Sequence, residues 1–98
     1  MEAASGRDGS RETVTVRYWA GARAAAGTAE DSFDVEHELT LADLVTRVLE
    51  RHPDDRMSRT VAVCSVLLGD RPVRSQDPAT VVVAPGSVVE LLPPFAGG

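Results

Sequence analysis

The sequence predicts an α+β domain in which one helix packs across a mixed sheet. Three observations carry this. Residues 13–19 alternate clearly, with Val14, Val16 and Tyr18 on one face, as a half-buried strand does. A single apolar helical stripe runs from Leu41 to Leu49, enough to cover one sheet face. A last strand-like segment, residues 87–92, is stopped by Pro93 and Pro94, which cannot donate ladder hydrogen bonds. Strands at both ends with one helix between them make a two-layer α+β fold.

The elements follow in order. Residues 1–12 are small, polar and charged and read as a disordered lead-in to a domain spanning 13–94. In the first strand Val14, Val16 and Tyr18 point to one face, and Thr13, Thr15, Arg17 and Trp19 to the other. Gly21 to Gly27 is rich in Ala and Arg and reads as a loop or a short helical turn. Residues 28–36 hold a second, weaker strand centred on residues 32–35. Thr40 is placed as an N-cap with Asp43 at the third helical position, a capping-box-like start. Leu41, Leu44, Val45, Val48 and Leu49 then form the stripe, and Pro53 ends the helix. Residues 53–60 read as a polar loop, and Val61 to Leu68 as one β-branched strand before the Gly69–Asp70 turn. A short strand is expected around 72–74, an apolar stretch at 81–83, and a turn at Pro85–Gly86 before the final strand. On that strand Val89 and Leu91 face the core, and Val88, Glu90 and Leu92 face outward.

Composition narrows the function. With 98 residues there is room for one domain and one modest core. A net charge of −5 argues against a nucleic-acid partner and fits a basic protein partner. All ten basic residues are arginine, so no lysine is available for a Schiff base, a P-loop or an isopeptide bond. The single cysteine, Cys64, excludes an internal disulfide and any multi-cysteine metal site; its apolar surroundings read as those of a buried, inert thiol. His37 and His52 have no metal-ligand spacing and read as surface or capping residues. Glu30, Asp31, Asp54 and Asp55 read as solvated charges. The apolar runs are too short for a membrane span and the N-terminus does not resemble a secretory signal, so the expected location is the cytoplasm.

The last four residues, 95–98, read as a flexible tail ending in Gly97–Gly98. Glycines lack a Cβ, so such a tail fits a channel too narrow for side chains and presents an unhindered α-carboxylate. Pro93 and Pro94 stiffen its root toward polyproline II.

Three stretches now carry a resemblance, covering about residues 13–98. They are the opening strand from Val14 to Ala20, the helix start Leu41-Ala42-Asp43-Leu44, and the closing block from Pro85 to Gly98 with its Pro-Pro-Phe-Ala-Gly-Gly end. Together they resemble the MoaD/ThiS sulfur-carrier family. Phe95 stands where that family usually has Val, and Ser87 where its turn often has Asp. The resemblance implies a ubiquitin-like β-grasp fold and a sulfur carrier. Gly98 would be adenylated by an E1-like adenylyltransferase that consumes ATP. A sulfurtransferase donor would then convert it to a thiocarboxylate, with Gly97 needed for threading the tail. The Pro-Pro pair points to the molybdopterin synthase small subunit. That subunit donates sulfur to a pterin precursor beside a large catalytic subunit, in a heterotetramer. The carrier itself would bind no cofactor and would act as a cosubstrate. A carrier for another product (thiazole, cysteine or a thiolated metabolite) and a ubiquitin-like modifier are the alternatives.

Partner binding is expected near the tail. If the first and last strands are neighbours, outward Trp19 and Leu92 lie together, with Phe95 at the tail's root. Such an apolar patch serves an interface. The other reading folds Trp19 back over residues 20–27.

Overall fold

In the computed structural model, which describes residues 12–94, strand β1 (Glu12–Tyr18) begins one residue before the expected domain start. Its alternation is as expected: Val14, Val16 and Tyr18 are buried, and Thr13, Arg17 and Trp19 are exposed. Beyond Trp19 the chain enters helix α1 (Ala20–Ala26), so the Ala/Arg-rich segment is helical rather than a loop. Gly27 ends it at φ 77°, and its N–H donates to the Arg23 carbonyl. Positive φ is a conformation that glycine adopts without a Cβ penalty. Strand β2 (Glu30–Val35) then pairs antiparallel with β1.

A two-residue strand β3 (Leu39–Thr40) leads into the long helix α2 (Leu41–Arg51). Thr40 caps it as expected, its Oγ1 accepting from the Asp43 N–H at 3.1 Å. Leu41, Leu44 and Val48 are buried along its stripe.

The next segment departs from expectation. Residues 53–60 are not a loop: helix α3 (Asp55–Ala62) occupies most of them. Asp54 is its N-cap and accepts from the Met57 N–H at 2.8 Å. It is thus a capping residue rather than a merely solvated charge. Met57 is 0% exposed, and Val61 packs against the same core. Because α3 takes Val61 and Ala62, the following strand β4 is only Ser65–Leu68, shorter than the expected 61–68. Strand β5 (Arg71–Pro72) returns after the Gly69–Asp70 turn. Beyond a 3₁₀ turn at Pro78–Thr80, strand β6 (Val82–Val83) pairs with β3 in a second small sheet. Gly86, at φ 90°, makes the turn into β7 (Val88–Leu92).

The main sheet has the order β2-β1-β7-β4-β5. Its two central strands, β1 and β7, are parallel, and the other pairs are antiparallel. One face buries Val14, Val16, Tyr18, Phe33, Val35, Val89 and Leu91 in a single core with residues of all three helices: Ala22, Leu41, Leu44, Val48 and Met57. The mixed sheet is therefore the expected one, but three helices rather than one contribute to the core.

Met57 is the test of the unexpected helix. Truncating a fully buried Met removes about 2–5 kcal/mol of stability. Met57→Ala should lower the urea midpoint by a corresponding amount with an unchanged m-value. A loss below about 0.5 kcal/mol, as for surface positions, would place α3 outside the core.

Candidate functional site

β1 and β7 give the two faces of the sheet different roles. Their parallel register sets Arg17 opposite Glu90 and Tyr18 opposite Leu91. Trp19 continues the ladder, its N–H donating to the Leu91 carbonyl at 3.2 Å, which brings it level with Leu92. On β4, Leu67 lies opposite Glu90 and Ser65 opposite Leu92. The open face therefore carries Val88, Glu90, Leu92, Arg17, Trp19 and Leu67.

Trp19 is 41% exposed. Its indole N–H donates to Glu90 Oε1 at 2.8 Å, so the ring lies over β7 and does not fold back over residues 20–27. The Arg17 guanidinium stacks 5.3 Å from the ring centroid, and Arg17 also lies 3.9 Å from Glu30. Leu92 is half-buried on the same face. Three further residues expected at the site, Phe95, Gly97 and Gly98, lie outside the described residues.

The inner side of the same strand holds a polar cluster that sequence reasoning missed. Tyr18 donates its phenol to Asp31 Oδ2 at 2.8 Å, and His52 donates Nε2 to the same oxygen at 2.6 Å. Arg51 sits 3.5 Å from the other carboxylate oxygen. The Tyr18 and His52 rings meet edge to face, 5.7 Å apart. Asp31 is thus not a solvated charge, and His52 does more than cap α2. Register could have flagged Asp31, since it lies opposite buried Val16. Burial pushes the Asp31 carboxyl up, but hydrogen bonds from His52 and Tyr18, with the nearby charges of His52 and Arg51, outweigh burial and hold it below the usual carboxylate range. Burial, reinforced by the Asp31 hydrogen bond and charge, pushes the Tyr18 phenol up. The cluster fastens the end of α2 to the antiparallel β1–β2 pair.

The remaining candidates are inert. Cys64 is half-buried, its Sγ donates to the Thr60 carbonyl at 3.3 Å, and burial pushes the thiol up to about 11, which suppresses the thiolate. His37 is exposed, with Nδ1 2.8 Å from the Glu38 carbonyl oxygen. Among the described residues no group of three or more His, Cys, Asp and Glu side chains could hold a metal ion, and no helix is long and apolar enough to cross a membrane.

Asp31 sets an acid dependence. Its lowered pKa stabilises the fold fully above the unfolded carboxyl's value of about 3.9, and that contribution is lost as pH falls through the folded value. Asp31→Asn should therefore melt lower than wild type at neutral pH, with the gap closing in acid. A gap that stays constant across an acid series of thermal melts would show that Asp31 is not the titrating group.

Comparison with known proteins places this geometry. A curated relative, the molybdopterin synthase sulfur carrier subunit of Chlamydomonas reinhardtii, is 28% identical over 85 residues, covering 87% of this chain and 98% of that protein. The crystal structure of SAMP1 from Haloferax volcanii has a TM-score of 0.72 at 21% identity, covering 88% of this chain and 99% of that one. A complex of subunits 1 and 2 of the molybdopterin-converting factor from Helicobacter pylori matches with a TM-score of 0.57 at 24% identity, covering 88% and 99%. These structural likenesses show the fold, a ubiquitin-like β-grasp. Residues 16–98, including Gly97 and Gly98, match the model of the ThiS family, and the chain belongs to that sulfur-carrier family.

Proposed function

We propose that the protein is the small, sulfur-carrying subunit of a molybdopterin synthase, located in the cytoplasm. The family match that runs through Gly97 and Gly98 is the observation that carries this reading. The carrier subunit from Chlamydomonas supports the choice of pathway, as does the Helicobacter complex of subunits 1 and 2 for a large-subunit partner.

The chemistry follows from the nature of a carboxylate, which is a poor electrophile. An E1-like adenylyltransferase joins the Gly98 carboxylate to AMP from ATP, releasing pyrophosphate. AMP is a good leaving group, and a sulfurtransferase donor replaces it with sulfur. The resulting thiocarboxylate is a nucleophilic sulfur on a side-chain-free arm, which enters the large subunit and meets the pterin precursor. This chain supplies no general base and no cofactor to the reaction. It supplies the arm and the face beside it: Trp19, Leu92 and Phe95 dock on the partner while Gly97 and Gly98 reach the reacting atoms.

The likeness to a small archaeal modifier protein favours a second reading, in which the same activated Gly98 is joined to other proteins. Both readings share the activation step and differ in what attacks the adenylate.

The threaded arm is tested at the glycines. Deleting Gly98, or Gly97→Val, should strongly reduce ATP–pyrophosphate exchange by the activating enzyme. A β-branched side chain restricts φ/ψ and clashes in a channel shaped for bare backbone. Melting temperature should match wild type, because tail residues contribute little stability. Normal exchange with Gly97→Val would contradict the threaded tail.

A further inference from the structure

The open face contains one arrangement that docking by apolar contact alone leaves unexplained. Four side chains from three strands form a chain across it: Glu30 on β2, Arg17 and Trp19 on and just beyond β1, and Glu90 on β7. On the reading that this face docks a partner, we infer that Glu90 is its specificity-determining residue. One carboxylate oxygen holds Trp19 in its docking orientation, and the other receives a basic side chain of the partner.

The Trp19 backbone is already fixed. Its N–H is bound to the Leu91 carbonyl, and its own carbonyl accepts from the Ala22 and Arg23 N–H groups at 2.9 and 3.3 Å. Ala20, the next residue, sits at φ 48°, a conformation a non-glycine residue keeps only where its surroundings impose it. The side chain is then held twice more, by Glu90 at the indole nitrogen and by Arg17 stacked on the ring. An exposed aromatic free to rotate loses rotamer freedom on binding, and this one is ordered beforehand.

The same contacts define what the partner must offer. The indole N–H is satisfied, so Trp19 asks only for an apolar side chain against its exposed ring. Glu90 is half-buried between Arg17 on β1 and Leu67 on β4, yet Arg17 turns to Trp19 and Glu30. Among the described residues Glu90 makes no ion pair, and its Oε2 has no partner. Docking would desolvate that oxygen. A neutral or acidic partner surface would leave it unpaired and be disfavoured, whereas an arginine or lysine would satisfy it. The chain's net charge of −5 favours the same basic partner.

Two variants separate the two roles. Glu90→Gln keeps an oxygen for the indole but loses the charge; Glu90→Leu loses both. Trp19 is the only tryptophan, so intrinsic fluorescence reads it directly. In the free protein, anisotropy and emission maximum should match wild type in Glu90→Gln. In Glu90→Leu the anisotropy should fall and the emission shift red. Affinity is measured against the purified large molybdopterin synthase subunit of the same organism. Glu90→Gln should weaken binding roughly threefold to tenfold and flatten its salt dependence, and Glu90→Leu should weaken it more than about tenfold. Unchanged fluorescence in Glu90→Leu overturns the hold on Trp19. Unchanged affinity and salt slope in Glu90→Gln overturn the recognition of a basic group. If wild type itself does not bind that subunit, the partner assignment fails and takes the basic-group role with it, while the fluorescence still decides the hold on Trp19.

Discussion

The parallel pairing of β1 and β7 is the constraint on which the rest of the structure depends. These strands come from opposite ends of the described chain, yet they are central neighbours in the sheet. Hydrogen bonds fasten the pair at both ends: Gly86 N–H to the Thr13 carbonyl at 2.8 Å and Trp19 N–H to the Leu91 carbonyl at 3.2 Å. A parallel pair cannot be closed by a tight turn, so everything between the strands serves as its connection. Helices α1, α2 and α3 lie within that connection and cover the inner face. The pairing also sets where the chain leaves the sheet, at Leu92 beside Trp19.

One strand thereby serves two purposes through its pleat. Tyr18 turns inward and joins Asp31 and His52 in holding α2 to the sheet. Trp19, the next residue, turns outward and meets Glu90. The polar cluster lends rigidity to the end of β1 from which the exposed ring projects. On the proposed reading, in which this face docks a partner, such rigidity keeps the ordering on binding small.

The legible parts of the sequence were those with a local period. The alternation of residues 13–19 and 87–92 and the stripe of residues 41–49 each identify an element and its buried face. Helix α3 was illegible for a physical reason: within eight residues its inward positions are only Met57 and Val61, and an aspartate, two arginines, a serine, a threonine and an alanine fill the rest. Its one local sign was Asp54 three residues before Met57, a cap that read as a surface charge. The polar contacts were hidden because their partners are remote. Asp31 meets residues 13 and 21 positions away, and Glu90 meets Trp19 across 71. No window along the chain holds both members of such a pair. The family was legible at the closing block because that signal rests on residue type rather than on packing: two prolines and two glycines, which the ThiS family match includes, can be recognised without a fold around them.

The central claim is that this rigid face presents a carboxylate that becomes a sulfur nucleophile. The most direct measurement is the intact mass of the protein recovered from cells that contain its activating enzyme and sulfur donor. Exchange of oxygen for sulfur at Gly98 predicts a gain of about 16 Da, lost when Gly98 is deleted. An unchanged mass, or adducts larger by the mass of whole proteins in place of that gain, would contradict the account.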